Sequence, residues 1–147
     1  VSVALQQMWK KHLNIDVQLD NQEWKVFLSN RRQHVFDISR DGSSSTFADP
    51  MDMLNSFTSA HVMNTAGWSN AEYDRLLASA RTELNVETRL ALLEKAEKIF
   101  TREVPVFPIY YYAYSYLIAP EVKGMEFNNI EIPNYKSIYI DYSVREK

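Results

Sequence analysis

Residues 22–50, QEWKVFLSNRRQHVFDISRDGSSSTFADP, decide the fold class of this chain. They combine a helical pattern over residues 22–33, a short apolar strand pattern over 35–39 and a polar loop over 40–49. Just before them, residues 15–19 alternate apolar and polar side chains, as a half-buried strand does. Strand, helix and strand in this order predict a βαβ unit with parallel strands and a right-handed crossover. The sequence therefore predicts an α/β fold.

The helix of this unit has an unusual face. Trp24, Leu28 and Arg31 are spaced i, i+4 and i+7, so they share one side of the helix. An aromatic ring, an aliphatic chain and a cation suit a ligand-receiving surface better than a core. In open α/β sheets ligands collect beyond the carboxyl ends of the strands. These ends are the turn before Trp24 and the loop over residues 40–49, which together form the candidate site.

The other helices are predicted from their capping residues. Asp49 before Pro50 is typical of an N-cap followed by proline at the first helical position. Ser69 and Glu72 have the spacing of a capping box, and Asn85 is the predicted cap of a longer helix. The helices predicted outside the βαβ unit cover residues 1–13, 51–57, 70–81 and 85–102.

The last third of the chain is rich in tyrosine. Its long helix is expected to bury a stripe made of Leu90, Leu93, Ala96 and Phe100. Residues 106–119 read as an extended crossover strand, which places four tyrosines on one face: Tyr110, Tyr112, Tyr114 and Tyr116. Another strand is predicted near residues 137–141, but this tail holds too little apolar surface to form a core. The aromatic content fits either a large core or an aromatic-lined ligand pocket.

Composition excludes several classes of function. Sixteen Lys and Arg against nineteen Asp and Glu leave a formal charge of −3, so no basic field exists to attract nucleic acid. Without cysteine the chain has no disulfides, thiolate metal sites or Cys nucleophile. No apolar run approaches the roughly 18 residues that span a bilayer.

Sequence motifs for catalysis, cofactors and metals are missing. His12, His34 and His61 match no metal-binding spacing, and neither a P-loop nor a G-x-G-x-x-G fingerprint occurs, so no metal and no cofactor are expected. A carboxylate-dependent glycosidase stays open as an alternative because several acidic side chains could pair. These are Asp37, Asp41, Asp49, Asp52 and Asp74. We expect a binding protein and not an enzyme.

Three arginines lie near the predicted site. Arg31 and Arg32 lie at a helix C-terminus, where a cation interacts favourably with the dipole, and for Arg32 this explanation suffices. Arg40 directly follows a predicted strand, where its guanidinium could bind a ligand carboxylate through two parallel hydrogen bonds.

Several segments in the same order resemble the C-terminal portion of an oligopeptide-binding protein, the solute-binding component of peptide ABC importers. They are MWKKHLNIDVQLDNQEWKVFLSNRRQHVFDISR, FADP, MNTAGWSNAEYDRLL and KAEKIF followed by VPVFPIYYY. The resemblance implies a two-lobed periplasmic-binding-protein-like fold that encloses a peptide between its lobes. Residues 1–112 would belong to the distal lobe, and the tail, 113–147, would return to a first lobe that precedes this chain. It also implies an extracytoplasmic location, periplasmic or as a cell-surface lipoprotein, and a membrane permease as partner.

The resemblance also assigns ligand-binding positions. Those that match the family's cleft are Trp24, Leu28, Arg31, Arg40, Asn64, Thr65 and Tyr112. Trp24 and Leu28 would line side-chain pockets, and the counterpart of Arg40 can pair with a peptide carboxylate.

One position departs from the family. An aspartate that grips the peptide's α-ammonium in known members is replaced here by Thr46. Losing such a pair could remove about 2–5 kcal/mol of affinity. Either Asp41 or Asp49 substitutes, or the ligand lacks a free amino terminus. The alternative function is therefore the same scaffold binding an N-blocked or non-standard peptide, or another small solute.

Overall fold

The computed structural model describes residues 1–127 and 134–146. Its helices are α1 (Ser2–Leu13), α2 (Trp24–Arg32), α3 (Pro50–Asn55), α4 (Ala71–Thr82) and α5 (Val86–Glu103). Two short strands, β1 (Val122–Lys123) and β2 (Tyr139–Ile140), pair antiparallel with Val122 opposite Ile140. Single 3-10 turns cover Tyr135–Ser137 and Tyr142–Glu146. The chain divides into two compact units, residues 1–39 and 40–147, each described by itself below.

The first unit consists of α1, α2 and the segments that follow them. Asn14 closes α1 in the left-handed conformation, with φ 54°, and the carboxylate of Glu23 caps α2 by accepting from two backbone N–H groups. No side chain of this unit is buried. Many of its large apolar side chains are exposed: Val1, Val3, Met8, Leu13, Ile15, Leu19, Val35 and Ile38. The unit does not form a hydrophobic core by itself.

The two strands predicted for the βαβ unit are absent from residues 15–19 and 35–39, so this part of the prediction is wrong for the structure. The backbone there bonds to the helices instead of to a strand: Val17 accepts from the side chain of Gln6 at 2.6 Å, and Val35 donates to Asn30 at 2.9 Å. A strand requires a neighbour about 4.8 Å away. Alternation predicts which side chains share a face, but it does not supply that neighbour.

The second unit contains the core, which α3, α4 and α5 form together. Its buried side chains are Leu54, Tyr73, Leu76, Leu77, Ala80, Leu93, Ala96 and Ile99. The Tyr73 hydroxyl donates to the carbonyl of Leu54 at 2.6 Å, which ties α4 to α3. Trp68 packs against Tyr73 edge-on, with the ring centroids 4.8 Å apart. This core holds both the loop before α3 and the segment after α5 to one body.

Capping residues place these helices close to where the sequence predicts them. Asp49 caps α3 and Asn85 caps α5, as predicted. For α4 the cap is Asn70 and not Ser69, because the Asn70 side chain accepts from the backbone of Glu72 and Tyr73 at 3.0 Å.

The buried stripe of α5 also differs from the prediction at two positions. Leu93 and Ala96 are buried as predicted, and Phe100 packs against the core. Leu90, however, is 46% exposed, and Ile99 is buried in its place. The buried stripe therefore begins at Leu93, about one turn later than predicted.

The segment after α5 is extended but forms no strand. Residues 106–118 form no strand. The predicted crossover strand therefore has the side-chain alternation of a strand but does not pair with a neighbouring strand. The strand predicted near residues 137–141 corresponds to β2. No helix of the described residues is long and apolar enough to cross a membrane.

Candidate ligand-binding site

The second unit places Arg40 beside the tyrosines of the extended segment. The Arg40 guanidinium donates a hydrogen bond from Nη2 to the hydroxyl of Tyr112, 72 residues later in the chain. The next turn of the loop lies against the same ring, since a Cβ at Gly42 would be 3.7 Å from Tyr112 Cε2. Arg40 is exposed, and half of Tyr112 is exposed, so the pair is open to a ligand. Two of the predicted site residues are therefore in direct contact.

Tyr110 is the third member of this cluster, and the sequence reasoning did not select it. Its ring centroid lies 5.1 Å from that of Tyr112. A hydrogen bond with Tyr112, followed by one with Arg40, lowers the pKa of Tyr110. The same hydrogen bond raises the pKa of Tyr112. The two phenols therefore share a hydrogen bond, and the Arg40 guanidinium contacts both of them.

The cluster continues into a row of stacked rings. Tyr112, Tyr114 and Tyr116 follow each other with centroids 6.3 and 6.4 Å apart, and Phe127 ends the row 4.8 Å from Tyr116. The four even-numbered tyrosines thus lie on one face, as predicted. Tyr111, on the other face, is fully exposed. The signal for Tyr110 was present in the sequence, because it belongs to the same alternating face as Tyr112.

The acidic side chains at the loop are held by the protein itself. Asp49 caps α3 and pairs with Arg89, whose Nη2 lies 2.9 Å from Oδ2, and mainly this hydrogen bond lowers the pKa of Asp49. Asp52 accepts the backbone N–H of Thr46 at 2.6 Å. Asp41 accepts the N–H of Gly42 at 2.8 Å. Thr46 itself is exposed, and its neighbouring carboxylate is Asp52, which the sequence reasoning did not consider as a substitute.

Asn64 and Thr65 lie in the loop between α3 and α4. Asn64 is only 8% exposed, and its Nδ2 donates to the carbonyl of Trp68 at 2.7 Å and to that of Thr58 at 3.2 Å. Its nitrogen therefore holds the loop together. Thr65 is half-buried and follows at the loop surface. Their role in ligand binding stays a prediction.

The first unit carries the remaining predicted residues on α2. Trp24 is 64% exposed and stacks on Phe27 with centroids 5.5 Å apart. The Arg31 guanidinium lies over the same Phe27 ring, 5.5 Å from its centroid. Leu28 is half-buried beside them. Phe27, at i+3 from Trp24 and i−4 from Arg31, is the centre of this face, and the spacing of helical neighbours could have identified it.

The described residues offer no metal site: none of their His, Asp and Glu side chains form a group of three that could hold an ion. Four of the five carboxylates considered for glycoside hydrolysis accept backbone hydrogen bonds in loops or at a helix end, namely Asp41, Asp49, Asp52 and Asp74. What the second unit offers is a cation, several phenols and stacked rings. Such a surface can bind an anionic or aromatic group.

Comparisons with known proteins identify the family. The chain is 39% identical over 141 residues to the periplasmic murein peptide-binding protein MppA of Escherichia coli, across 95% of this chain and 26% of MppA. It is 39% identical over 126 residues to the oligopeptide-binding protein OppA of Bacillus subtilis, across 85% of this chain and 23% of OppA. A probable deoxycholate-binding periplasmic protein of Escherichia coli, YgiS, is 36% identical over 140 residues, across 95% of this chain and 26% of YgiS. No family model matches the chain.

Solved structures give the same result for the fold. The structure of Escherichia coli MppA superimposes with a TM-score of 0.84 and 37% identity, covering 95% of this chain and 28% of MppA. The Haemophilus influenzae OppA complex with the peptide RPPGFSPFR superimposes with a TM-score of 0.81 and 32% identity, again covering 95% of this chain and 28% of OppA. These superpositions confirm the periplasmic-binding-protein fold that the sequence predicts for the chain.

The chain spans about a quarter of the length of the curated relatives it matches, which is consistent with the predicted C-terminal portion. Over 85–95% of its length the chain is similar to periplasmic oligopeptide- and murein-peptide-binding proteins.

Proposed function

We propose that this chain is one part of an extracytoplasmic solute-binding protein that binds peptides non-covalently for an ABC importer. The single observation that carries the proposal is its similarity, over 95% of the chain, to a protein named for binding murein peptides. A structure of similar fold holds a nonapeptide, RPPGFSPFR. The relatives reported above are named as binding proteins, which supports a non-enzymatic role. They give no support to the glycosidase alternative.

The exposed apolar surface of the chain supports the proposal that it is part of a larger protein. Residues 1–39 bury no side chain, and the extended segment 106–118 forms no strand. Both features fit a chain whose missing neighbours come from the rest of a two-lobed protein. In this proposal residues 1–112 belong to the distal lobe, residues 113–147 return to the first lobe, and the closed protein delivers its ligand to a membrane permease.

The site residues have distinct parts in this proposal. Arg40, held by Tyr112, binds an anionic group of the peptide such as a carboxylate, since a guanidinium offers five donors of which the tyrosine uses one. Trp24 and Leu28 contribute the apolar wall of a side-chain pocket. Arg31 of the first unit, and Asn64 and Thr65 of the second, are further ligand-binding residues in this proposal.

The test uses the full-length protein that contains this chain. The protein is incubated with a pool of tripeptides of randomised side chains, separated from unbound peptide by gel filtration, and the retained peptides are identified by mass spectrometry. We expect one peptide to be retained per protein molecule, without cleavage. Failure to retain any peptide, or release of cleaved products, would overturn the proposal.

A second candidate function is the same scaffold binding a solute without a free amino terminus. The observation that favours it is Thr46, which provides no charge where the family has an aspartate, while Asp49 nearby is already paired with Arg89. YgiS, named as probably binding deoxycholate, is a relative of similar identity. The pool made with acetylated amino termini distinguishes the two: retention of the free-amine pool alone rejects this candidate.

A further inference from the structure

Helix α5 carries a charge of the unfavourable sign near each of its ends. Arg89 lies at the end of the first turn, where the helix dipole favours an acidic side chain such as Glu87. Glu103 is the last residue, where the dipole favours a basic side chain such as Arg102. The helix itself therefore explains neither charge. Each of them is explained by a loop of the second unit that it holds.

Arg89 holds the end of the loop before α3. Its Nη2 lies 3.0 Å from Oδ1 and 2.9 Å from Oδ2 of Asp49, which is 40 residues earlier in the chain and caps α3. Thr46 donates its backbone N–H to the carboxylate of Asp52, in the first turn of the same helix. The ion pair therefore fixes the start of α3, and residues 46–49 with it, against the first turn of α5.

Glu103 holds the loop between α3 and α4 from the other end of α5. Its Oε2 accepts the indole N–H of Trp68 at 2.8 Å, and its Oε1 accepts a side-chain N–H of Asn70, also at 2.8 Å. The carbonyl of Trp68 in turn accepts from the buried side chain of Asn64 at 2.7 Å. One carboxylate therefore fixes the last turn of α5 to the end of the loop over residues 56–70.

We propose that Arg89 and Glu103 are positioning residues of the peptide-binding site, and that α5 is the strut that holds its two loops, residues 40–49 and 56–70, at a fixed separation. The inference rests on the proposed function and adds two residues that do not themselves contact the ligand. A loop that is already in place loses less conformational entropy when the peptide binds, so both charges raise the affinity.

Three substitutions in the full-length protein separate the two ends of α5. Arg89→Met removes the charge and keeps an unbranched side chain. Arg89→Lys keeps the charge, and one nitrogen suffices because Nη2 alone contacts both oxygens of Asp49. Glu103→Gln keeps the size of the side chain but turns an amide N–H₂ towards one of the two donors that the carboxylate binds. Arg75→Met, at an exposed residue of α4, is the control for the loss of an arginine.

Amide hydrogen exchange of the protein without ligand is the first measurement. We expect Arg89→Met to speed exchange at residues 46–51 and to leave residues 56–70 unchanged. Glu103→Gln should do the reverse, so each variant is the control for the other. Arg89→Lys and Arg75→Met should exchange like the wild type.

Affinity for the tripeptide pool, measured by equilibrium dialysis, is the second measurement. Arg89→Met and Glu103→Gln should each weaken binding about two- to fivefold, because the loss of a partly exposed charged contact shifts the population of the binding-competent loop by about this factor. Arg89→Lys should bind like the wild type. Tyr73→Phe loses a hydrogen bond of the core and keeps its ring, so it should lower stability without changing the affinity.

Four outcomes would overturn the inference. The first is unchanged exchange in either Arg89→Met or Glu103→Gln, and the second is faster exchange of both loops in either variant, which would indicate general destabilisation. The third is wild-type affinity in either variant. The fourth is an equal loss of affinity in Tyr73→Phe, which would attribute the effect to stability alone. If the wild type binds no peptide, the proposed function fails and the positioning role fails with it, whereas in the four outcomes above the wild type binds.

Discussion

The guanidinium of Arg40 bonds to the hydroxyl of Tyr112, although 72 residues separate them in the chain. The contact joins the loop before α3 to the extended segment after α5. The three-helix core between them fixes both positions, because α3 and α5 pack together around Leu54 and Leu93. A charged side chain and a phenol are thereby held side by side on an exposed surface.

Arg40→Gln should weaken binding of free-acid tripeptides by the full-length protein. The substitution removes the charge and the forked donors that would bind a carboxylate, while the glutamine keeps a shorter polar side chain. Isothermal titration calorimetry gives the affinity. Arg75→Gln, an exposed arginine on α4, is the control and should bind like the wild type. Equal affinities for wild type and Arg40→Gln would contradict the assignment of this cation to the ligand.

Tyr73→Phe should destabilise the core. The buried hydroxyl donates to the Leu54 carbonyl, which also accepts the backbone N–H of Phe57, so its removal loses one hydrogen bond worth about 0.5–1.5 kcal/mol in the free energy of unfolding. Burial raises the pKa of Tyr73 above the ordinary value of 10.0. The contribution of the phenol to stability is therefore complete below pH 10 and declines as the pH rises beyond it, since the unfolded chain ionises first.

Urea denaturation followed by circular dichroism measures this effect. The difference in the free energy of unfolding between wild type and Tyr73→Phe should decrease above pH 10. Tyr114→Phe, at an exposed residue, should unfold like the wild type. A stability of Tyr73→Phe equal to that of the wild type at neutral pH would contradict the buried hydrogen bond.

Asp49→Asn should reduce stability at neutral pH and lose this effect in acid. The asparagine still caps α3, so the change isolates the ion pair with Arg89, whose partly exposed charges contribute about 0.5–1 kcal/mol. Because the pKa of Asp49 is lowered, mainly by Arg89, its contribution is present above the unfolded value of 3.8 and disappears as the pH falls below it. Asp37→Asn, on an exposed residue, serves as the control in urea titrations from pH 7 down to 3. If the free energy of unfolding differed between wild type and Asp49→Asn by the same amount over this whole pH range, the charge of Asp49 would not contribute to stability.

Gly124→Ala should disrupt the pairing of β1 with β2. Gly124 has φ +73°, and a Cβ there would lie 2.0 Å from the carbonyl oxygen of Ser137, which is too close for any side chain. We expect faster amide hydrogen exchange at residues 122–123 and 139–140. Gly42→Ala is a matched control for the fold, because its added Cβ would make an ordinary contact of 3.7 Å. Unchanged exchange in Gly124→Ala would show that the backbone of this turn can shift.

The helices could be predicted from local signals, whereas of the four predicted strands only the one near residues 137–141 is formed, as β2. Asp49, Pro50 and Asn85 cap or open helices through contacts within four residues, so the sequence alone locates α3 and α5. A strand depends on a partner that lies elsewhere in the chain or outside it. This is why residues 15–19 and 106–118 show the alternation of strands without a ladder.

The site could be predicted in part for the same reason. The resemblance selected Arg40 and Tyr112, and the structure brings these two together. Tyr110 and Phe27 were missed, because their importance comes from the side chains they contact and not from any motif. Ser69 was chosen over Asn70 as the cap of α4 because its spacing to Glu72 fits a capping box, but both residue types are good caps and only the geometry of the turn decides between them.

The most direct test of the account measures amide hydrogen exchange across the full-length protein with and without the tripeptide pool. If this chain supplies one wall of a peptide-binding cleft, the added peptides should slow exchange in residues 24–31, 40–46 and 110–114. Binding that leaves the exchange of all three segments unchanged, and slows it only outside residues 1–147, would contradict the account.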